Sequence, residues 1–176
     1  MSGIKIRPAV AGEEKKIGEI YEGAKRFQRQ TGNMHQWTGA YPGEESARED
    51  IANGKLYVIE QDGEIHGVFF FDCGIEPTYL KIYDGQWPCD LPYGFIHRIA
   101  GDGAVHGIVR LATEWALERC DRVRIDTHRD NSVMQKALAS AGYKYCGIIH
   151  LSSGDERLAF QIDAQEKDIG IPTKKL

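Results

Sequence analysis

The chain has 176 residues and a formal net charge of −4, and 41% of its residues are hydrophobic while 27% are charged. This length suits a single domain with a full core, and the charge balance excludes the strongly basic surface that is typical of nucleic-acid-binding proteins. The N-terminus lacks a signal-peptide pattern and no apolar run approaches the roughly 18 residues of a membrane span, so we expect a cytoplasmic protein with no membrane partner.

The first half of the chain predicts two helices followed by an antiparallel hairpin. Helical spacing of apolar residues indicates the helices, and Asp62-Gly63 between two apolar runs predicts a tight turn between two strands. The predicted elements are a strand at 4–9, a helix with the apolar stripe Ile17, Ile20, Tyr21, Ala24 and Phe27, a helix at 44–52, strands at 56–60 and 65–73, and an additional strand formed by Tyr79, Leu80, Ile82 and Tyr83.

The centre of the chain predicts a β-α-β crossover with two parallel strands. An apolar run at 93–100 leads through a glycine-bearing turn into a segment from Ile108 to Trp115 with helical spacing, and a β-branched run at 123–127 follows. Free backbone N–H groups at Gly103, Gly107 and the first helical turn would meet the positive end of a helix dipole there. Such a place binds an anion, most often phosphate.

The last third predicts a helix and two strands. Asp130-Asn131-Ser132 begins a helix in which Ser132 and Gln135 match a capping box, and Gly142 ends it. Strands follow at 144–150 and 157–162, and we expect a loose tail after them. The element order therefore predicts an α+β domain. The four cysteines lack metal-ligand spacing, so no metal is expected.

Two kinds of protein use a glycine turn of this type. Gly101, Gly103 and Gly107, with Asp126 at the end of the next strand, are compatible with dinucleotide binding. A dinucleotide-binding domain, however, carries this fingerprint in its first βα turn, and here it lies in mid-chain. The element order favours the second kind.

Several stretches resemble the GNAT superfamily of N-acetyltransferases, from the N-terminus to about Ile162. The matching stretches are Ile6-Arg7-Pro8, His97-Arg98-Ile99-Ala100, Arg124-Ile125-Asp126-Thr127-His128 with Asp130-Asn131, and Ala141-Gly142-Tyr143-Lys144-Tyr145-Cys146-Gly147. The last two are similar to a bacterial subgroup of small acetyltransferases.

The resemblance implies the α+β acyl-CoA N-acyltransferase fold. This is a mixed, mostly antiparallel sheet with a splayed central parallel β-α-β pair and helices on both faces. It implies a single domain over residues 1–176, with an N-terminal half and acceptor side at 1–92, a coenzyme A-binding half at 93–163 and a loose tail at 164–176.

The resemblance also implies an enzyme that moves an acetyl group from acetyl-CoA directly to a primary amine of a small molecule. The helix N-terminus would hold the pyrophosphate, and the N–H of Ile99 or Ala100 would face the acetyl carbonyl. Asn131 matches an asparagine near pantetheine, with helix capping as its alternative role. The implied cofactor-binding residues are Ile99, Ala100, Val105, His106, Gly107, Ile108, Val109 and Asn131.

A histidine is the natural base for removing a proton from the amine. Strand alternation places His97 on one face with Tyr93, Phe95 and Ile99, so His97 is the first candidate, with a structural hydrogen bond as its alternative. His128 is the second candidate, and its alternative is to stabilise the turn that follows the strand.

A general acid for the departing thiolate is harder to assign. The family commonly has a tyrosine at the position of Leu138, so a general acid would have to be Tyr143, Tyr145 or water. The motif Ala104 to Val109 also retains only the middle glycine of the family's pyrophosphate pattern.

Three residues are expected to contact the acceptor. Trp37 lies in a loop with more aromatic surface than a connector needs, although it could equally cap the core. Tyr93 shares the predicted face of His97. Arg98 would hold an acceptor carboxylate or form a structural ion pair, and the pair is the favoured interpretation.

Three functions follow from these patterns. The leading one is an acetyl-CoA-dependent N-acyltransferase that needs no metal and acts as a monomer or homodimer on a small amine. A non-catalytic acyl-CoA-binding or sensing protein is the first alternative, and a nucleotide-dependent oxidoreductase is the second.

Overall fold

The computed structural model describes residues 3–165, whose seven strands form one sheet in the order β1-β2-β3-β4-β5-β7-β6. None of the helices in this part of the chain combines the length and apolarity needed to cross a membrane. The elements are β1 (Ile4–Pro8), α1 (Glu14–Gln30), α2 (Glu44–Ala52), β2 (Leu56–Gln61), β3 (Glu64–Cys73), β4 (Gly94–Gly101), α3 (Ile108–Leu117), β5 (Arg122–Thr127), α4 (Ser132–Ala141), β6 (Lys144–His150) and β7 (Glu156–Asp163).

Helices cover both faces of the sheet, as the sequence predicts. On one face, α1 and α2 bury Ile17, Tyr21 and Ala47 against β2 and β3. On the other face, α3 and α4 pack residues such as Ala112 and Leu138 against the centre of the sheet. Each large apolar side chain buried in this way stabilises the fold by about 1.5–3 kcal/mol. The sheet is thus held between two cores, and its central strands are inaccessible except where they separate.

The separation lies between β4 and β5, which are the predicted parallel pair. They are paired at Gly94 with Val123 and at Phe95 with Arg124, although β4 continues to Gly101 and β5 to Thr127. Beyond Phe95 the facing edges diverge, and their backbone N–H and C=O groups have no strand partner across the gap. The predicted splayed pair is therefore present.

A bulge in β4 changes which residues share a face of the strand. Phe70 of β3 pairs with His97 and Val68 pairs with Ala100, so Arg98 and Ile99 together stand opposite a single residue. Arg98 has a φ of 50°, a left-handed backbone that a non-glycine residue seldom adopts.

The bulge corrects one prediction about His97. Its ring lies 5.9 Å from the ring of Phe70, and the guanidinium of Arg98 lies 4.5 Å from the same ring, so both side chains are on one face. Ile99 instead packs with the core under α3. The expectation that His97 shares a face with Ile99 was wrong, because the extra residue shifts the alternation by one position.

The predicted additional strand at 79–83 was also wrong. Pro77–Tyr79 form a 3-10 turn in which the N–H of Thr78 donates to the carboxylate of Glu76, and Tyr83 makes an isolated bridge to Ile148. Pro77 has no N–H to donate to a ladder, and the Glu76 cap satisfies the turn locally. The segment therefore folds over the sheet without joining it.

Two local predictions in the helices need correction. Asn131, and not the predicted Ser132 with Gln135, caps α4 by accepting a hydrogen bond from the N–H of Met134. Phe27 belongs to the predicted apolar stripe of α1 but is 50% exposed. The predicted loose tail falls outside the described residues except for its first two positions.

We predict that Gly94→Ala destabilises the fold, because Gly94 lies where β4 and β5 are joined. A methyl group there would lie 2.7 Å from Sγ of Cys120 and 2.7 Å from Cε2 of Phe71. The free energy of unfolding, measured by urea titration, should fall by about 1–3 kcal/mol. Gly39→Ala is the control, since its methyl group meets nothing within 4 Å. Equal effects of the two substitutions would contradict the proposed crowding.

Candidate active site

Two cavities open along the gap between β4 and β5. The larger cavity has a volume of about 710 Å³, and its walls include Trp37, Tyr41, Glu76, His97, Asp126 and Arg157. The smaller cavity has a volume of about 290 Å³, and its walls include Phe27, Gly103, His106, Gly107, Val133 and Ala137. Gln28, Trp37, Ile99, Asn131 and Met134 line both cavities, which therefore meet beside the unpaired edge of β4.

The smaller cavity is built around the start of α3. Gly107 precedes this helix with a φ of 72°, and Gly103 has a φ of 88°, so the turn adopts a backbone that side chains disfavour. A Cβ at either glycine would meet no atom within 4 Å, which leaves open space at the helix N-terminus. The first-turn N–H groups of α3 have no intrahelical acceptor, and that turn contains no acidic residue. The arrangement suits an anion.

All eight residues predicted to bind a cofactor line this smaller cavity. The strand residues and the glycine turn follow one another in the sequence, and the fold brings the distant cap of α4 beside them. They are Ile99, Ala100, Val105, His106, Gly107, Ile108, Val109 and Asn131.

Two further residues of the smaller cavity were missed by the sequence analysis. Phe27 presents an exposed aromatic ring at its wall, where the apolar stripe of α1 had suggested a core position. The side-chain oxygen of Gln28 is buried and has no hydrogen-bond partner among residues 3–165. A buried acceptor without a partner is costly, so this oxygen at the junction of the cavities is suited to a ligand N–H.

The larger cavity contains a histidine between two carboxylates. Nε2 of His97 lies 3.3 Å from Oε2 of Glu76, and its Nδ1 lies 3.7 Å from Oδ2 of Asp126. The buried hydroxyl of Tyr79 donates to the same Asp126 oxygen at 2.7 Å. A neutral imidazole has a single N–H, so it can serve only one of these carboxylates at a time. The site is therefore negative on both sides of His97.

Glu76 is ionised at every ordinary pH. Its burial alone would raise its pKa, but hydrogen bonds from His97 and from the N–H of Thr78 outweigh burial and lower the pKa to about 2. The backbone N–H of Glu76 also donates to the hydroxyl of Tyr93 at 3.1 Å, which fixes the start of the 3-10 turn. Sequence reasoning missed Glu76, because it lies in an irregular segment whose path only the folded chain reveals.

Arg98 forms the ion pair that the sequence analysis favoured. Its Nη2 lies 2.8 Å from Oδ2 of Asp50 on α2, and its Nη1 donates to the hydroxyl of Tyr41 at 2.6 Å. Burial raises the pKa of Asp50, although the Arg98 charge opposes this effect. Arg98 also lines the larger cavity, but its charge is already compensated.

The loop between α1 and α2 closes one side of both cavities. Trp37 packs edge-on against the buried ring of Tyr21 at 6.0 Å and lines both cavities, so it has both of the roles that the sequence left open. The side chain of Gln36 accepts hydrogen bonds from Asn33 and from Asn131, which ties this loop to α4. Asn131 is likewise both a helix cap and a cavity wall.

The predicted catalytic roles of Tyr143 and His128 are not supported by their positions. Tyr143 is buried in the core under α3, where its hydroxyl pairs with Oγ1 of Thr113 at 3.0 Å and burial raises its pKa. Nδ1 of His128 accepts from the N–H of Asp130, which is the turn-stabilising role, and its ring lines neither cavity. Burial, and then the nearby charge of Arg157, lowers the pKa of His128.

Tyr93 is not part of the cavity wall either. Its ring packs against Phe95 and lies 4.0 Å from the guanidinium carbon of Arg124. Its hydroxyl accepts the hydrogen bond from the backbone N–H of Glu76. The strand alternation that placed Tyr93 beside His97 did not account for the segment before β4, which covers this part of the sheet. Tyr93 is therefore a positioning residue for Glu76.

One group in the described chain has ligand atoms close enough together for a metal ion. His35, His128 and Asp130 offer atoms within 4.8 Å of one another. His35 already contacts the Asp130 carboxylate at 2.6 Å, and His128 accepts the Asp130 N–H. These mutual contacts explain the group without an ion.

The fold matches solved structures of acetyltransferases. A GNAT-family acetyltransferase from Streptococcus agalactiae 2603 is 33% identical to this chain, with 94% of this chain and 97% of that chain covered and a TM-score of 0.84. The chain belongs to the GNAT family of acetyltransferases. No protein-family model and no curated protein sequence matches it.

More distant acetyltransferase structures share the fold. An acetyltransferase of the GNAT family from Listeria monocytogenes 4b F2365 has 17% identity and a TM-score of 0.65, with 93% of this chain and 98% of that chain covered. The putative acetyltransferase yncA from Salmonella typhimurium, solved with acetyl-CoA, has 15% identity and a TM-score of 0.56 over 94% and 96% of the two chains.

GNAT membership and the observed topology remove the dinucleotide alternative. The sheet is mostly antiparallel, with one parallel pair, instead of doubly wound. In the dinucleotide alternative the carboxylate of Asp126 would bind a ribose. In the structure it accepts a hydrogen bond from Tyr79 and lies beside His97.

We predict that Glu76 contributes to stability at neutral pH and that acid removes this contribution. The folded-state pKa lies below the usual value of 4.5, so the stabilisation is present above that value and is lost as the pH falls toward 2. The free energy of unfolding should therefore fall more between pH 6 and pH 3 in the wild type than in Glu76→Gln. The control is Glu45→Gln, whose carboxylate is 93% exposed. Parallel pH curves for wild type and Glu76→Gln would count against this account.

Proposed function

We propose that this GNAT protein is an acetyl-CoA-dependent N-acetyltransferase that acts by direct transfer on a primary amine of a small molecule. One observation carries the proposal. A cavity at a free helix N-terminus continues, along the unpaired edge of β4, into a second cavity whose walls hold two carboxylates and a histidine.

The smaller cavity fits coenzyme A by its chemistry. The N–H groups at the start of α3 suit a pyrophosphate, and the bare Cα atoms of Gly103 and Gly107 leave room for it. The free oxygen of Gln28 suits an amide N–H of the pantetheine arm, and the ring of Phe27 offers a flat apolar surface. When bound there, acetyl-CoA supplies the acetyl group as a reactive thioester. The yncA structure, which shares the fold, was solved with acetyl-CoA as its cofactor.

The unpaired edge of β4 is suited to hold the acetyl group at the junction of the cavities. We assign the N–H of Ile99 or Ala100 to the carbonyl oxygen, which gains negative charge during transfer. Alignment of the thioester with the amine between the two strands supplies several kcal/mol of the catalytic effect.

The larger cavity is suited to bind the acceptor amine. Glu76 and Asp126 attract a protonated amine, and His97 between them takes its proton so that the nitrogen lone pair becomes available. The C–N bond forms as the thioester C–S bond breaks, and the second amine proton is released. The products are an amide and the free thiol of coenzyme A.

The departing thiolate takes its proton from solvent in this proposal. Leu138 stands where the family commonly has a tyrosine, and its side chain is fully buried. Tyr143 is in the core, where its hydroxyl pairs with Thr113. A thiolate is a stable leaving group near neutral pH, so a dedicated acid is not essential.

A non-catalytic acyl-CoA-binding protein is the second candidate. The buried Leu138 is the specific observation in its favour, because it removes the acid that the family commonly uses. A thiol-release assay with acetyl-CoA over a panel of primary amines decides between the two. Calorimetric binding of coenzyme A without thiol release from any amine would support the second candidate.

We predict that Gly107→Glu weakens coenzyme A binding at least tenfold. The new carboxylate repels the pyrophosphate and fills the space at the start of α3. Gly32→Glu is a matched control, since Gly32 has a φ of 89°, a Cβ added there would meet no atom within 4 Å, and the residue lies outside both cavities. Titration calorimetry should show the loss for Gly107→Glu alone. Equal affinities in two folded variants would refute the assignment.

We predict that His97→Ala lowers turnover by roughly 10²–10⁴ while coenzyme A affinity stays unchanged. His97→Gln can still donate to Glu76 but cannot take the amine proton, so it should be as slow as the alanine variant. His150→Ala, a partly exposed histidine stacked on Tyr83, is the control. If His97→Gln restores wild-type turnover, the role of His97 is structural and alignment alone drives the transfer.

A further inference from the structure

We infer that the acceptor carries a carboxylate as well as an amine, and that Arg157 binds this carboxylate. The inference rests on the proposed N-acetyltransferase function and narrows its acceptor to amino-carboxylates. The observation behind it is a buried guanidinium that lines the larger cavity and, within residues 3–165, has no carboxylate partner.

Arg157 is 8% exposed, yet its hydrogen bonds are nearly unused. Its Nη1 donates to the carbonyl oxygen of the adjacent Glu156 at 2.9 Å, and no other side-chain hydrogen bond or ion pair of Arg157 is found in the described part of the chain. A guanidinium has five N–H donors, and a buried charge without a partner is strongly unfavourable. An anion bound in the cavity would remove this penalty.

The other buried arginine of the described chain, Arg124, and the partly buried Arg98 are both satisfied by the fold. Arg98 pairs with Asp50, as described above. Arg124 is 4% exposed, lies between the rings of Trp87 and Tyr93, and donates to Gln161. Arg157 differs because its free donors adjoin an open cavity instead of the protein interior.

The strand register places Arg157 close to the proposed amine site. Asp126 of β5 pairs with Ala159 of β7, and Arg157 lies two residues from Ala159 on the same face. It is therefore a diagonal neighbour of Asp126, with Cα atoms about 7–8 Å apart. The positive charge of Arg157 thus lies near the carboxylates beside His97, within reach of a single small molecule.

The surroundings favour a carboxylate over a phosphate. The guanidinium fork matches the two oxygens of a planar carboxylate. Glu76, Asp126 and Asp155 line the same cavity, so a dianion would face three negative charges and one free positive charge. A monoanion joined to an ammonium complements this pattern, with the ammonium toward Glu76 and Asp126 and the carboxylate toward Arg157.

The test compares matched acceptors in the full-length wild type and in Arg157→Gln. The acceptors are L-alanine, L-leucine, β-alanine and γ-aminobutyrate, each paired with its carboxamide. Two quantities are measured, kcat/KM from thiol release and acceptor Kd by calorimetry with coenzyme A present. Because amidation also changes the basicity of the amine, the decisive quantity is the ratio of wild type to variant for each acceptor.

We expect Arg157→Gln to weaken at least one carboxylate acceptor by roughly 10- to 100-fold and its carboxamide by less than about threefold. Arg129→Gln is the control, since Arg129 is 66% exposed and pairs with Glu156 on the surface. Arg157→Lys keeps the charge, should retain part of the preference, and serves as the test variant if Arg157→Gln does not fold.

The possible outcomes separate this inference from the proposed function. Binding of a carboxylate acceptor that depends on Arg157, without thiol release, supports the inference and defeats the function. Thiol release with equal ratios for carboxylates and carboxamides supports the function and overturns the inference. The inference is also overturned if neither acceptor class binds at millimolar concentration.

Discussion

The structure depends on the early end of hydrogen bonding between β4 and β5. Each of these strands is held along its other edge, β4 by six residue pairs with β3 and β5 by six with β7, while two pairs join them to each other. The outer pairing keeps the strands rigid, so the gap between them is a fixed feature and does not close by collapse. Both cavities, and the free backbone edge at their junction, exist because the sheet is left incomplete there.

The gap divides two electrostatic environments. At the start of α3 the positive field comes from the backbone, because the helix begins at a bare glycine turn without an acidic residue. In the larger cavity the field comes from side chains, with Glu76 and Asp126 around His97 and Arg157 on the far strand. Backbone N–H groups are present whatever the side chains of the motif are. A turn that retains a single family-like glycine can therefore still present the N–H groups that suit a phosphate.

The bulge at Arg98 determines what faces the larger cavity. The additional residue turns Arg98 onto the face of His97, where Asp50 and Tyr41 hold it, and turns Ile99 into the core. Without the bulge, simple alternation would bury one of the two polar residues among the apolar side chains under α3. The ion pair with α2 and the left-handed backbone of Arg98 therefore act together: the pair compensates the strain that the bulge introduces.

The elements with strong periodicity could be predicted from the sequence. Four helices, the Asp62-Gly63 hairpin, the β-α-β crossover and the glycine turn before α3 all follow from local spacing, glycine positions and apolar stripes, since these depend on neighbours a few residues away. The residues proposed for coenzyme A were implied by the family resemblance, and all but Asn131 belong to one contiguous strand, turn and helix start.

The acceptor side was decided by tertiary structure. Glu76 and Arg157 belong to an irregular segment and a distant strand, and no local pattern distinguishes them from ordinary polar surface residues. Tyr143 and His128 carry suitable chemistry in the sequence, but packing placed one in the core and the other in a turn. The sequence by itself determined the helices, the strands of the sheet and the glycine turn before α3, because local forces set them. Only the folded chain decided which polar groups share the larger cavity, because that depends on strand register, on one bulge and on the path of an insertion.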